Sequence, residues 1–202
     1  MIQWNLRAKT LQAMIRAFEQ QGGNLQQHFG DLTPAMRRLL TMPQSTKAEL
    51  EAVIEQARRN RIAAPAQWEA ALLSLCADPL YCRLQVDDLK IRVRAAWTAT
   101  RALALGTARG LTMMFDIIVG DGLGQKKMNS IRARLQQRES AAGRALSERE
   151  KLVEIADEAA KFAGRWQDER RARRFVIANG TGIYRGSRWD LDRLFPQLND
   201  PL

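Results

Sequence analysis

Two carboxylates near the front of this chain stand in an arrangement that general acid–base chemistry uses. Glu19 closes a helical stretch, Phe18-Glu-Gln-Gln-Gly-Gly, and Asp31 follows twelve residues later. A protonated acid opposite a second carboxylate can break a bond by donating a proton while the partner steadies developing positive charge. The same two residues would also serve as ordinary solvated acids, where Glu and Asp are most often found. Further on, Asp116 lies between Phe115 and Ile117 in the most apolar run of the sequence, Thr107 to Gly124. A carboxylate in such surroundings is costly unless paired or wetted, so Asp116 either lines a polar cleft or meets an arginine such as Arg94 or Arg101. Asp121 and Gly122 open a loop and fit a cleft edge or plain turn chemistry. His28 stands alone, which suits a surface or capping role. One histidine with Cys76 and Cys82 is too few ligands for a zinc site, and no metal or organic cofactor is expected.

The element that must position these groups is the run from Thr107 to Gly124. Leu111, Met113, Met114, Phe115, Ile117, Ile118 and Val119 cover most of a helical wheel, the pattern of a helix surrounded by others. Arg109, Thr112, Asp116 and Gly120 follow at helical steps and share one polar stripe. Around this central helix the sequence predicts further ones. Leu11, Met14, Ile15 and Phe18 have helical spacing and stop at Gly22-Gly23. Thr33-Pro34 restarts the chain, and Thr46 with Glu49 makes a capping box. Pro65 opens a helix carrying Trp68, Leu72, Leu73 and Leu75, which Asp78-Pro79 ends. A long helix from about Leu80 to Leu105 would bury Leu84, Leu89, Ile91, Val93, Trp97 and Leu103. Beyond the loop at Gly122, one helix turns Met128, Ile131 and Leu135 inward, a second capping box at Ser147 and Glu150 starts another, and an arginine-dense one spans Trp166 to Ala178. The segment after Asn179 is glycine-punctuated and irregular, ending in a turn at Leu191 to Phe195. Only Arg174 to Ala178 hints at a strand. The expectation is a mainly α protein, residues 1–202 as a single domain.

A chain of 202 residues is long enough to bury a stable core without metal or disulfide. It holds 46% hydrophobic residues, but no run suits a membrane span, and the start lacks the apolar core of a signal peptide. A net charge of +10 and a pI near 10.4 favour polyanionic partners: nucleic acid, anionic lipid or bacterial cell wall. Cys76 and Cys82 flank the Pro79 break, either as a short disulfide or as two half-buried thiols.

Three stretches together resemble the lysozyme-like and chitosanase-like glycoside hydrolase domains at the C-terminus of phage and secretion-system cell-wall hydrolases. Ile2-Gln3-Trp4-Asn5 with Thr10-Leu11-Gln12 looks like the end of a segment of the form S-x-G-x-L-Q-W-N followed by a T/S-L-Q helix. Arg109-Gly110 through Phe115-Asp116-Ile117 to Asp121-Gly122 is similar to R-G-x-x-x-x-F-D-I-x-V-x-N-G. Arg173-Arg174 through Ile177-Ala178-Asn179-Gly180-Thr181-Gly182 to Leu191 looks like the closing segment. The resemblance implies a lysozyme-like helical fold and acid-catalysed cleavage of β-1,4 bonds between amino sugars of peptidoglycan or a related glycan. It also implies synthesis in the cytoplasm without a signal peptide, action in the periplasm or at the wall of a target bacterium, and a carrier or immunity protein as a further partner.

In that family the general-acid glutamate precedes the Q-W-N segment and is followed by a glycine-rich hairpin. The resemblance therefore places the acid upstream of Met1, with that helix and hairpin missing, and puts Glu19 on an ordinary helix past the site. Gln3 and Asn5 would offer amides to sugar hydroxyls or N-acetyl groups, beside Asp116 and Asp121, while Trp4 packs or stacks. Two other functions fit the composition: a glycan-binding module without catalysis, and a basic docking domain for nucleic acid or protein. The latter rests on Arg170, Arg171, Arg173 and Arg174 alone, which equally make a solvated face. No nucleic-acid-binding motif accompanies them.

Overall fold

The structure, a computed structural model, describes residues 10–41, 51, 52, 55, 56, 58–61 and 65–202. The capping box expected at Thr46 and Glu49 lies outside them. Local signals set the helix ends in the front part of the chain. Helix α1 (Thr10–Gln20) buries Met14, Ile15 and Phe18 and stops at the two glycines. Gly22 has φ 89°, and a Cβ at Gly23 would stand 2.5 Å from the Phe18 ring, so the chain can turn there only with glycine. Asn24 caps α2 (Leu25–Phe29) by accepting from the Gln26 amide. A short 3-10 turn, Gly30–Leu32, leads into α3 (Thr33–Thr41), and Arg16 donates to the Leu40 carbonyl at 2.5 Å near its end. Helix α4 (Pro65–Ala77) and the start of α5 (Pro79–Ala102) complete this part. Asp78 leaves the helical path between them and caps α5, accepting from the Leu80 amide at 2.8 Å and the Tyr81 amide at 3.2 Å.

The chain divides into two compact units, residues 1–89 and 90–202, where one core was expected around one helix. The core of the first unit runs from Met14 to Tyr81. In it Phe18 meets Tyr81 edge-on at 5.9 Å, and Phe29 meets Trp68 at 6.5 Å. The second unit has its own core, from Ala96 to Ala178. Helix α6 (Ala108–Asp121) lies at its centre, capped by Thr107, and no residue from Thr107 to Asp121 is exposed. Helices α7 (Gln125–Ala142), α8 (Glu148–Ala160) and α9 (Gln167–Asn179) complete the helical part, with α8 packed on both α7 and α9. Ser147 and Glu150 form the expected capping box of α8.

Three expectations need correction. Leu73, Ile91, Val93 and Trp97 are exposed, Ile91 to 65%. In the second unit α5 buries the small residues Ala96, Ala99 and Thr100, which allow close packing, and its bulky residues are left outside. The segment Arg174 to Ala178 is helix. The sheet lies in the stretch expected to be irregular, as β1 (Thr181–Tyr184) paired antiparallel with β2 (Ser187–Asp190). Arg185 and Gly186, both at positive φ, form the two-residue turn that this hairpin requires. Helix α10 (Leu191–Leu194) and a 3-10 turn, Pro196–Asn199, follow, and the chain end returns to α6 where the Ala108 amide donates to the Asp200 carbonyl at 3.0 Å.

Glu158 ties α7 to α8. It is 8% exposed and accepts from Ser130 Oγ at 2.5 Å and from Lys161 Nζ at 2.6 Å. Burial pushes its carboxyl up, but Lys161 and Ser130 outweigh burial and hold it below its ordinary value of about 4.5. A carboxyl depressed in the folded state stabilises fully above its unfolded value, and that contribution fades as pH falls through the folded one. The urea midpoint of Glu158→Gln should therefore fall less steeply than wild type between about pH 5 and pH 3. Parallel curves would show that Glu158 contributes nothing to acid sensitivity.

Candidate functional site

The polar stripe of α6 meets α9. Arg170, Arg173 and Arg174 recur at steps of three and four on one face of α9, and that face turns inward. Arg174 has no exposed side-chain surface. Its Nε donates to Asp116 Oδ2 at 3.0 Å, and its second terminal nitrogen donates to Asp121 Oδ2. Arg173 pairs with Asp116 Oδ1 at 2.8 Å, and Arg170 Nε lies 3.1 Å from Asp121 Oδ1 at an angle poor for a hydrogen bond. Burial works against the charge on Arg173, yet Asp116 outweighs it and holds the guanidinium above its ordinary value. Gly120 leaves room for this approach. A Cβ there would stand 3.1 Å from Arg173 and 3.3 Å from Arg170. Lys127 completes the cluster by donating to the Gly122 carbonyl at 2.7 Å. Burial first, then Arg174 and Arg170, pull its ammonium below the ordinary lysine value against the support of Asp121.

The other end of α6 builds a polar recess. Arg109, 6% exposed, donates to the Ile177 carbonyl at 2.7 Å, to Asn199 Oδ1 at 3.0 and 3.2 Å, and to Asp192. Asp192 sits over Gly180, where a Cβ would overlap its carboxylate. Across from it Glu148, the first residue of α8, accepts from the Gly106 amide at 2.7 Å, the Thr107 amide at 3.2 Å and the Thr107 hydroxyl at 2.5 Å. These groups, with Arg149 and Asn179, line a cavity of about 120 Å³. Arg149 and Asn179 also border a second cavity of about 310 Å³, walled by Arg138, Leu146, Glu150, Val153 and Glu154. The first has room for a small polar substituent; the second reaches the lower end of the range for organic ligands.

Of the residues expected at a site, Asp116 and Asp121 come together, and arginines occupy their oxygens. The partners are on α9, not Arg94 or Arg101, and Arg170, Arg173 and Arg174 are neither a solvated face nor a docking surface. Arg171 alone of the four points outward, pairing with Asp157 at 2.7 Å. Gln3, Trp4 and Asn5 lie outside the described residues. Glu19 pairs with Arg37 at 3.2 Å, and Asp31 is exposed in the 3-10 turn. His28 is no surface residue: its side chain is 6% exposed and bonds Ser74 and Asp78. Among the described residues, no group of His, Cys, Asp and Glu is placed to hold a metal, and no helix is long and apolar enough to cross a membrane.

Sequence reasoning missed Glu148, Arg149, Asp192 and Asn199. The available signals were the capping box beside Glu148 and the Asn179-Gly180 turn opposite Asp192. Compared with known protein families, curated proteins and solved structures, the chain matches none.

Arg174→Ala removes the innermost cation of this network and leaves Asp116 with Arg173 and Asp121 with Arg170 alone. It should lower unfolding stability by about 3–5 kcal/mol, whereas Arg174→Met, which refills the buried volume, should lose less. Urea denaturation followed by helical circular dichroism measures both. A loss for Arg174→Ala below about 1 kcal/mol would contradict the lock.

Proposed function

We propose that this chain is a cell-wall domain of the lysozyme-like glycoside hydrolase type, which engages peptidoglycan strands along the polar recess beside Arg109, Arg149 and Asn179. The observation that carries the reading is the pairing of its motifs with one another. Residues of the Arg109 to Gly122 stretch bond residues of the Arg173 to Leu191 stretch and its flank: Asp116 and Asp121 to Arg174, Arg109 to the Ile177 carbonyl and Asp192. Motifs matched by chance have no reason to be each other's partners. The recess suits the ligand class. Its smaller cavity offers guanidinium and amide donors to an acetamido or carboxylate substituent, and the larger one accepts part of a sugar ring. Wall polymers are anionic, and residues 90–202 carry 22 lysines and arginines against 13 acids, while residues 1–89 are nearly balanced.

Cleavage would follow the acid-catalysed course of that family, which needs a carboxyl held protonated near the leaving oxygen. A glycan-binding role without cleavage is favoured by one observation. Among the described residues, the carboxylates displaced from their ordinary values, Glu55, Asp78, Glu150, Glu158 and Glu169, are all displaced downward, the wrong direction for an acid.

Co-sedimentation with purified peptidoglycan, followed by mass spectrometry of the soluble fraction, separates the two. The chain should pellet with the wall, and Arg149→Glu should weaken that association about tenfold. Soluble glycosidic fragments would establish the hydrolase, association without fragments the binding module. Failure to associate at low salt would remove both.

A further inference from the structure

The joint between α4 and α5 carries both cysteines, and neither belongs to the recess. Helix α4 ends at Ala77, Asp78 breaks the path, and Pro79 fills the first position of α5, where no amide proton is needed. The bend folds Cys82 back on Cys76, so that its Sγ donates to the Cys76 carbonyl at 3.0 Å. Six residues of unbroken helix rise about 9 Å, too far for that contact, so the kink itself creates the approach. The joint is also held in place. His28 bonds Ser74 Oγ at 2.9 Å and Asp78 Oδ2 at 3.2 Å on either side of Cys76, with its ring 5.8 Å from Phe18. Both thiols are free and open to solvent.

We propose that Cys76 and Cys82 are a redox-active dithiol, which closes to an intramolecular disulfide by exchange with a low-molecular-weight disulfide and reopens with the corresponding thiol. The Cys82 thiol gives its proton to solvent, and the thiolate attacks one sulfur of the small disulfide. That S–S bond breaks and the first small thiolate leaves. The Cys76 thiolate then attacks Cys82 Sγ in the mixed disulfide, forming the Cys76–Cys82 bond and expelling the second small thiolate. The cysteines lose two electrons and two protons, and the small disulfide becomes two thiols. Burial, followed by the neighbouring Cys82 charge, pushes the Cys76 thiol up, which disfavours it as the first attacker; the Cys82 contribution is gone once Cys82 is held in the mixed disulfide. The closed bond pins the end of α4 to the first turn of α5 and reinforces the Asp78 cap. It forms in an oxidising compartment and opens in a reducing one.

The test uses the full chain equilibrated with oxidised and reduced glutathione, quenched by alkylation and weighed intact. A monomer about 2 Da lighter should exceed glutathione adducts at least tenfold, and the amides of Leu80 and Tyr81 should exchange more slowly in it than in the reduced chain. Cys76→Ser and Cys82→Ser should each lack the lighter species and the slowed exchange. A wild-type chain that stops at glutathione adducts, or that links to a second chain, overturns the proposal.

Discussion

Arg174 has no contact with solvent, and a lone guanidinium in such a place would be strongly disfavoured. Its two aspartates make the position tenable, and in doing so they constrain the second unit. Asp116 and Asp121 lie on α6, more than fifty residues earlier, and Arg170, Arg173 and Arg174 must all reach them from one face of α9. Apolar contacts between the two helices would tolerate sliding and rotation. Ion pairs with fixed directions resist both, and the absence of a side chain at Gly120 leaves room for Arg170 and Arg173 close to the helix. Arg109 does the corresponding work at the far end of α6 with Ile177, Asp192 and Asn199. The central helix is thus tied to α9 at both extremities and to the chain end at the second, and the polar recess takes its walls from that second tie.

Most of the helices were legible in the sequence because their signals are local. Asn24, Thr107 and Ser147 cap through their own side chains, Gly22-Gly23 ends α1, and Pro79 begins α5. A helical wheel also places Arg109, Thr112, Asp116 and Gly120 on one stripe. It cannot identify what that stripe meets, since the answer lies on a helix remote in sequence. The same wheel groups Arg170, Arg173 and Arg174 without revealing that a charged face turns inward when another helix offers its counter-charges. The converse error arises on α5. Ile91, Val93 and Trp97 are hydrophobic enough to suggest a core, yet Ala96 and Ala99 take the packed side because small residues let backbones approach. The hairpin escaped notice because four-residue strands with a glycine have almost no alternation, leaving Arg185-Gly186 as its only strong signal.

The recess was legible only in part. Arg109 and Asn179 stand in stretches that already attracted attention, and the Ser147–Glu150 capping box flags the helix end that carries Glu148 and Arg149. Asp192 and Asn199 carry no pattern of their own. Their roles arise because the chain end folds back along α6, where Leu202 and Asp200 bond the backbone at Gly106 and Ala108. No periodicity announces such a return.

Pairing rearranges charge without removing it, so the excess of cations in residues 90–202 persists although the four arginines of its densest run are largely offset by Asp116, Asp121 and Asp157. Most of the positive field must come from elsewhere. Arg101, Lys126, Arg132, Arg188 and Arg193 are exposed, and among the described residues none has an acidic partner. They lie on α5, α7, the hairpin and α10, separate elements along the unit, so they act as a diffuse field and not as one engaged patch. Such a field draws the unit toward any polyanion and is screened within about 8 Å at physiological salt. Discrimination among polyanions then depends on groups that act at contact distance, and on the function proposed above these are the directed donors and acceptors of the recess at Arg149 and Asn179, which have space beside them.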